Sequence, residues 1–260
     1  MPSVAGQTTR SGMNPAEFAN IAAAEEQMWW FRGMRRILDQ VAAPVLQNRK
    51  LERVFEGGCG TGHQSRVFEA RYGWRVTALD FDFGGLRYAR GAGQRRLVQG
   101  DLGELPFGDS LFDAAFALDV LAHFPKGTES KPLAELYRVL KPGGVLIVRT
   151  SAFDWLRSRH SEFVNEEQRF TRPRLLRALR DAGFAVNRCT YANALLLPVA
   201  WFKFRVWEPL TGAPPSSGVV LPPRLLNRVL EIPLLLEAAC FKLGLSLPLG
   251  QSLIALATKP

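Results

Sequence analysis

The chain has 260 residues and a mass of 28.9 kDa, with 47% hydrophobic and 22% charged residues. This composition supplies enough apolar side chains for a folded core and excludes disorder of the whole chain. Lysines and arginines number 33 against 24 acidic residues, a formal net charge of +9. Such an excess fits nucleic acid, an anionic membrane surface or an anionic substrate, and composition does not choose among them.

Three features of the sequence narrow the setting in which the protein works. No run of about eighteen uncharged apolar residues occurs, so a membrane-spanning helix is not expected. The N-terminal stretch lacks the apolar centre of a secretory signal, which favours the cytoplasm. Cys59, Cys189 and Cys240 lie far apart in sequence and fit neither a disulfide framework nor a zinc cluster.

The N-terminal region carries two helical patterns. The first begins at Pro15, and the second covers residues 31–46. Apolar side chains recur in the second pattern at three- and four-residue spacing and are expected on one helix face: Phe31, Met34, Leu38, Val41 and Val45. Because such a face must pack on another element, residues 1–50 are predicted to form a helical cap.

Short apolar runs alternate with helical patterns after Leu51. The seven strand-like runs are residues 53–58, 74–80, 95–101, 112–119, 145–151, 185–191 and 252–258. Such alternation is typical of a mostly parallel sheet with helices on both faces. We therefore predict a doubly wound, seven-stranded α/β fold whose last strand runs antiparallel.

A segment of different character lies between the last two predicted strands. Residues 192–250 are rich in proline and contain long apolar runs, which indicates a helical insertion. The predicted division of the chain is a cap over 1–50, a sheet domain over 51–191, this insertion, and the last strand over 251–260.

A glycine-rich loop follows the first predicted strand. Gly58, Gly60 and Gly62 permit a tight turn and would let a ligand approach backbone N–H groups directly. By itself the loop is only moderately specific, because many α/β turns are rich in glycine.

Acidic residues end the next two predicted strands. Asp80 and Asp101 would lie at the carboxyl edge of the sheet, where open α/β folds bind ligands. Asp80 suits the hydroxyls of a ribose and Asp101 an adenine amino group, while Phe81 and Leu102 are placed to sandwich the adenine ring. The alternative is that both acids are ordinary loop residues.

Together these motifs resemble those of class I S-adenosylmethionine-dependent methyltransferases. Residues 56–62 are similar to the family's D-x-G-C-G-T-G motif, with Glu56 in place of the aspartate. Residues 100–113 look like its G-D-x-x-x-L-P-F-x-x-x-x-F-D segment, and residues 138–144 match R-V-L-K-P-G-G. The resemblance implies a Rossmann-like methyltransferase fold, S-adenosylmethionine as cofactor, and methyl transfer as activity.

The resemblance also implies roles for individual residues. Gly58 and Gly60 would face the methionyl part of the cofactor, Asp80 the ribose, and Asp101 the adenine. Glu56 keeps a carboxylate for the methionyl ammonium, one methylene longer than the usual aspartate, so this contact can run through water. The complete predicted cofactor set is Glu56, Gly58, Cys59, Gly60, Gly62, Asp80, Phe81, Asp101, Leu102 and Leu118.

The flanking sequence is similar to a bacterial branch of this family. Residues 29–36 match its W-W-F-R-G-R-like stretch, whose aromatic residues could form a lid over the active site or pack in the core. Ala122 stands where that branch usually has glutamate, a residue that helps to hold a divalent metal in some quinone-type O-methyltransferases. We therefore expect no metal in this site.

Methyl transfer needs a general base only if the acceptor must lose a proton. His123 is the first candidate because imidazole titrates near neutrality, and Asp119 would orient it or contact the substrate. Their structural alternatives are a histidine bonded to backbone and a helix cap. His160 is expected in the acceptor site or in an exposed loop, and His63 beside the cofactor or facing solvent.

The positive charge gathers outside the predicted cofactor site. The densest run is interpreted mainly as a solvated helix face: Arg169, Arg172, Arg174, Arg177 and Arg180. Residues 192–250 combine basic and apolar side chains, so they would cover a lipid-like substrate, lie on the inner face of a membrane, pack on the sheet or pair with another subunit. Because no nucleic-acid module accompanies the charge, the predicted acceptor is a small or lipid-like molecule.

Two other functional classes stay open at this point. One is a noncatalytic cofactor-binding or membrane-associated protein that kept the fold. The other is a nucleotide-dependent oxidoreductase, which the G-x-G-x-G spacing and the lack of a Tyr-x-x-x-Lys pair disfavour.

Overall fold

The computed structural model describes residues 12–47 and 49–260, so residues 1–11 of the predicted cap and residue 48 lie outside it. Seven strands form one sheet: β1 (Arg53–Gly57), β2 (Arg75–Asp80), β3 (Leu97–Gln99), β4 (Phe112–Leu118), β5 (Leu140–Ser151), β6 (Ala185–Ala192) and β7 (Ser252–Thr258). Their order across the sheet is β3-β2-β1-β4-β5-β7-β6.

The strand pairing confirms the predicted fold class. Strands β1 to β5 pair in parallel, and β7 runs antiparallel to both β5 and β6. The strand order reverses between β1 and β4, so the connections after these neighbouring strands diverge to opposite sides. This reversal opens a crevice at their carboxyl ends, the place where doubly wound sheets bind ligands.

Ten α-helices surround the sheet in the described residues: α1 (Pro15–Ala24), α2 (Trp29–Leu46), α3 (His63–Tyr72), α4 (Phe83–Gly91), α5 (Ser130–Val139), α6 (Arg159–Phe163), α7 (Arg172–Asp181), α8 (Leu197–Phe202), α9 (Glu208–Thr211) and α10 (Arg224–Lys242). A π-helical turn, Lys203–Trp207, joins α8 to α9. Helices α8 to α10 lie between β6 and β7, where the helical insertion is predicted.

The core lies on both faces of the sheet. One apolar cluster joins the sheet to α2 and α10, and its fully buried members include Ile37 and Leu234. The other cluster joins the sheet to α5 and α7, with Leu136 and Leu179 fully buried. These helices present apolar residues at three- and four-residue spacing, which is why they pack flat on the strands.

The fifth strand begins earlier than predicted. Helix α5 ends at Val139, and β5 begins at Leu140 rather than at Val145. Its pairing with β4 jumps from Leu140 to Val145, so the residues between them form a bulge. The bulge is held from beyond β7, because Gly143 donates its N–H to the carbonyl of Lys259 at 2.8 Å.

Helix α10 packs closely along α2. A Cβ atom added to Gly33 of α2 would lie 2.4 Å from Cδ1 of Leu234, so only glycine permits this approach. Within the described part of the chain, no helix is both long and apolar enough to cross a bilayer.

Candidate active site

A cleft lies at the carboxyl ends of β1, β2 and β4, beneath α1 and the start of α2. Most of the predicted site residues line it: Glu56, Gly58, Cys59, Gly60, Asp80, Phe81, Leu102, Leu118, Asp119 and His123. Gly62 and Asp101 do not line the cleft. Gly62 instead precedes α3 with φ of 68°, and Asp101 lies two residues beyond the end of β3.

The glycine loop is tied to β2 by its own backbone. Gly58 and Cys59 both donate their N–H groups to the carbonyl of Leu79, at 2.8 and 3.0 Å. The N–H of Gly60 bonds to the Asp80 carboxylate at 2.7 Å. These N–H groups therefore hold the loop in place, whereas the sequence predicted that they would be open to a ligand.

The glycines of this loop shape the site through their backbone conformation and their lack of a side chain. Gly58 and Gly60 have φ of 75° and 52°, a region that side chains other than glycine rarely adopt. A Cβ atom on Gly58 would also lie 2.5 Å from Val120, so a larger residue would push the loop away from the turn after β4.

Glu56 is a buried carboxyl group at the end of β1. Its side chain accepts a hydrogen bond from the Ser65 hydroxyl, and its exposed fraction is 3%. Burial raises the pKa of Glu56 to about 7, opposed by the Ser65 hydrogen bond and the charge of Arg149. A carboxyl group with this pKa gains strongly from a cation placed beside it.

Asp80 ends β2 and faces the glycine loop. Its two oxygens accept hydrogen bonds from the N–H groups of Gly60 and Asp82, at 2.7 and 2.9 Å. Burial raises the pKa of Asp80, and these two hydrogen bonds lower it. Since a carboxylate offers about four acceptor positions, both oxygens can still accept from a ligand's hydroxyl groups.

Two apolar side chains border the outer part of the cleft. Leu102 is 2% exposed and forms an inner wall of the cleft, whereas Phe81 is 45% exposed and borders solvent. Between them in sequence, the Asp101 carboxylate accepts the N–H of Gly103 at 2.7 Å and shapes the turn after β3.

The cysteine of the loop is not set up for nucleophilic chemistry. The thiol of Cys59 is buried, and burial raises its pKa well above the ordinary value. A thiol in this state stays protonated at neutral pH and acts as a small packing group.

The N-terminal cap closes the cleft from above. Phe18 of α1 is buried, and its Cε1 lies 3.8 Å from where a Cβ atom on Gly60 would stand. Glu25, which follows α1, accepts a hydrogen bond from the Thr61 hydroxyl, and Arg35 of α2 donates to the backbone carbonyl of Glu25 at 2.8 Å. Sequence reasoning missed these groups, because no local pattern links α1 to a loop so far along the chain.

His63 points into the cleft rather than to solvent. Burial lowers the pKa of His63 to about 4, so its ring is neutral. Its Nε2 is buried and has no hydrogen-bond partner among the described residues. Such an unsatisfied atom in the lining is a ready partner for a polar group of a ligand.

Asp119 is held by Arg149, another residue that the sequence reasoning missed. Arg149 donates to Oδ2 of Asp119 from Nε and Nη2, at 2.9 and 2.6 Å. The guanidinium also stacks over the ring of Trp30, 5.1 Å from its centroid. Arg149 belongs to the buried strand β5, which gave no sign in sequence of a charged group in the cleft.

His123 lies in the short 3-10 turn Val120–His123 after β4. Its Nδ1 is 3.3 Å from the carbonyl oxygen of Asn165. A carbonyl only accepts, so this contact places a hydrogen on Nδ1, and the lone pair of a neutral ring then lies on Nε2.

His160 joins three parts of the chain. Its Nδ1 accepts the N–H of Gly218 in the insertion at 2.9 Å and lies 3.7 Å from Oε1 of Glu17 in α1. Ser217 also donates to Glu17, at 3.0 Å. His160 therefore connects α6, the insertion and the cap, and it is not a loose loop residue.

The predicted basic run is more than a solvated face. Arg169 pairs with Glu166 at 2.8 Å, and Arg174 pairs with Glu129 at 2.6 Å. Both acidic partners are buried, so these two arginines neutralise carboxylates within the fold.

The aromatic stretch at the start of α2 is divided between the two predicted roles. Phe31 lines the cleft, whereas Trp29 and Trp30 pack against the cluster beneath α2 and α10. The stretch therefore contributes both to the cover of the cleft and to the core.

Comparison with known proteins agrees with this geometry. Residues 55–148 match the family model described as a methyltransferase domain. Sterol methyltransferase-like 2 of Botryococcus braunii is 36% identical over 124 residues, which cover 44% of this chain and 31% of that protein. Malonyl-[acyl-carrier protein] O-methyltransferase of Serratia marcescens is 40% identical over 108 residues, 39% of each protein. The chain thus matches well under half the length of these two curated relatives.

A solved structure shares the architecture over a longer stretch. Geranyl diphosphate C-methyltransferase of Streptomyces coelicolor A3(2), in complex with Mg²⁺, geranyl diphosphate and S-adenosyl-L-homocysteine, aligns with a TM-score of 0.52. The alignment covers 80% of this chain and 73% of that chain at 17% identity, so it speaks to the fold alone.

The motifs, the sheet topology and the cleft are those of a class I S-adenosylmethionine-dependent methyltransferase domain. Residues 55–148 match the methyltransferase domain family, and S-adenosylmethionine is the cofactor of this class. The resemblance read from the sequence motifs is therefore confirmed.

The hydrogen-bonding and apolar groups in the cleft fit this cofactor. Glu56 offers a buried carboxyl group for the methionyl ammonium, and Asp80 offers two acceptor oxygens for the ribose hydroxyls. Leu102 and Phe81 provide apolar surface for the adenine, and the unsatisfied Nε2 of His63 adds a polar partner. Cofactor and cleft thus correspond in charge, hydrogen bonding and apolar surface.

Proposed function

We propose that the protein transfers a methyl group from S-adenosylmethionine to a small-molecule or lipid-linked acceptor by in-line displacement. One observation carries the proposal: the buried carboxyl group of Glu56 and the partly buried carboxyl group of Asp80 converge in a single cleft at the carboxyl ends of β1 and β2. When bound, the cofactor supplies a methyl sulfonium, an electrophile with a good leaving group.

The chain's own contribution is to align the reactants and exclude water. In this proposal Glu56, Asp80 and the glycine loop fix the cofactor, while Phe18 and Phe31 cover the cleft from the cap. His123 accepts the acceptor's proton where one must leave, and Arg149 holds the Asp119 carboxylate in place in the same cleft. We expect no resident metal in this scheme, and a cytoplasmic location stays a prediction.

The proposed acceptor class draws on the named relatives. The two curated matches are named for a sterol and for a malonyl group on an acyl carrier protein, both apolar or carrier-linked molecules. The N-terminal cap covers the cleft with aromatic and apolar side chains, among them Phe18, Ile21 and Phe31, which suits an acceptor of this kind.

Calorimetric titration with S-adenosylmethionine, NAD and NADP tests the cofactor. We expect binding of S-adenosylmethionine alone, and its loss in Asp80→Ala. The matched control is Asp181→Ala, because Asp181 is an exposed carboxylate at the end of α7. Binding of NAD in place of S-adenosylmethionine would overturn the proposal.

The transfer itself requires a separate measurement. Candidate lipids and metabolites are incubated with protein and cofactor, and products are examined by mass spectrometry for the gain of one methyl group. If the cofactor binds while lipid and metabolite extracts yield no methylated product, the noncatalytic binding protein is the better description.

A further inference from the structure

Helix α10 is apolar on its solvent-facing side as well as in its buried face. Toward the protein it buries Asn227, Glu231 and Glu237 together with Leu234 and Phe241. Its solvent-facing side is a stripe of large apolar residues, which we call the outer face: Leu225, Val229, Ile232, Leu236 and Leu243, each more than half exposed. A surface helix normally shows the opposite arrangement, so the outer face calls for an apolar environment.

The apolar exposure is concentrated in the insertion. Most of the large hydrophobic side chains that are exposed in the described residues lie in this segment rather than on the sheet domain. Besides the outer face, they include Trp201, Phe202 and Trp207 in the helical stretch from α8 to α9. Aromatic residues of this kind favour the boundary between water and an apolar phase.

The charges of the insertion are sorted by sign. Its five basic residues are all exposed: Lys203, Arg205, Arg224, Arg228 and Lys242. Its three acidic residues are all engaged by the protein. Glu208 accepts from the backbone N–H of Arg159, Glu231 pairs with Arg32 at 3.1 Å, and Glu237 accepts the N–H groups of Ala194 and Leu195. The exposed charge of this segment is therefore entirely positive.

We propose that the insertion docks the protein on the surface of an anionic lipid bilayer. The outer face enters the boundary between headgroups and acyl chains, and the basic side chains reach lipid phosphates with their long stems lying over the apolar surface. A second copy of this chain is a poorer occupant, because two such faces would bring like charges together with no exposed carboxylates between them. The docking stands apart from the methyl transfer proposed above.

Vesicle flotation tests the docking with the full-length protein. We expect binding to vesicles of phosphatidylcholine mixed with phosphatidylglycerol, weak binding to phosphatidylcholine alone, and weakening as NaCl rises from about 0.1 to 0.5 M. Equal binding to both kinds of vesicle would overturn the electrostatic part of the proposal.

Two sets of substitutions locate the contact. Arg224→Gln/Arg228→Gln/Lys242→Gln is expected to weaken binding on the order of 100-fold, about fivefold for each charge removed. The matched control, Arg87→Gln/Arg90→Gln/Arg95→Gln, removes three exposed charges near α4 and should weaken binding much less. If both sets weaken it equally, general attraction of a basic protein explains the binding and the proposal fails.

The apolar contact has its own variant. Leu225→Ser/Val229→Ser/Leu236→Ser changes only exposed side chains, so its thermal unfolding should match that of the unaltered protein while its vesicle binding falls. Unchanged vesicle binding would overturn the proposal. The proposal would also be overturned if light scattering showed a dimer that this variant converts to a monomer, and if neither form bound vesicles.

Discussion

Asn227 in the insertion caps the first helical N–H of α2, that of Trp29. Its Oδ1 accepts this N–H at 2.8 Å, and its Nδ2 donates to the carbonyl of Gln27 at 2.8 Å. The residue in the N-cap position, Met28, makes no side-chain cap. One buried amide, nearly 200 residues away in sequence, thus fixes the turn between α1 and α2, and with it the cover of the cleft.

Replacing Asn227 should therefore destabilise the cap. Asn227→Ala removes the partner of the partly buried Trp29 N–H and of the Gln27 carbonyl, and we expect a loss of about 1–3 kcal/mol in the free energy of unfolding. Urea unfolding measures the loss, and hydrogen exchange should rise at Trp29. Arg228→Ala, at the exposed neighbouring position of the same helix, is the control and should change little. Equal effects of the two substitutions would contradict the capping role.

This contact shows where prediction from sequence ends. Strand ends carry their residues to one edge of the sheet, so Glu56, Asp80 and His123 could be placed together from strand pattern alone. The helical spacing of the sequence predicts Asn227 and Glu231 on one polar stripe with Arg224 and Arg228. In the structure Asn227 and Glu231 face the protein interior. Asn227 bonds to the turn between α1 and α2, and Glu231 pairs with Arg32.

Two other positions illustrate the same limit. Arg149 directly follows the apolar run of residues 145–148 in β5, and only the packing of β4 beside β5 brings it to Asp119. Asp101 follows a strand that is shorter than its sequence run, so its carboxylate lies in a turn rather than in the lining. Both outcomes depend on strand register and strand length, which residue pattern specifies poorly.

Glu56 should make the cofactor-free protein less stable as pH rises. Its pKa is about 7 in the fold against an ordinary 4.5, so its stabilising contribution is full below 4.5 and is lost as pH rises through 7. Glu56→Gln cannot ionise. From about pH 5 to pH 8 its free energy of unfolding should therefore gain roughly 2–3 kcal/mol relative to the unaltered protein.

Urea unfolding at both pH values measures this gain. Glu52→Gln is the control, because Glu52 lies at the surface beside Arg75. A gain in Glu56→Gln no larger than that of the control would show that Glu56 is not the group that titrates.

Arg149 should support cofactor binding through charge. In Arg149→Met, Asp119 loses its partner and the pKa of Glu56 rises further, because Arg149 normally lowers it. We expect weaker S-adenosylmethionine binding at pH 7, with partial recovery at pH ~8 as Glu56 ionises. Titration calorimetry at both pH values measures this, and Arg149→Lys, which keeps the charge, should retain more of the affinity. A loss that is independent of pH would point to a packing role instead.

His123 should affect turnover and leave cofactor binding intact. If it accepts the acceptor's proton, replacing its ring removes the base from the transfer step. His123→Gln is therefore expected to lower methyl incorporation about 10²–10⁴-fold. Transfer of labelled methyl into an extract that contains the acceptor measures the rate, and calorimetry checks cofactor affinity. His160→Gln, which disturbs the contact with the insertion, is the comparison variant. A His123→Gln enzyme that keeps the transfer rate of the unaltered protein would show that the reaction uses no base at this position.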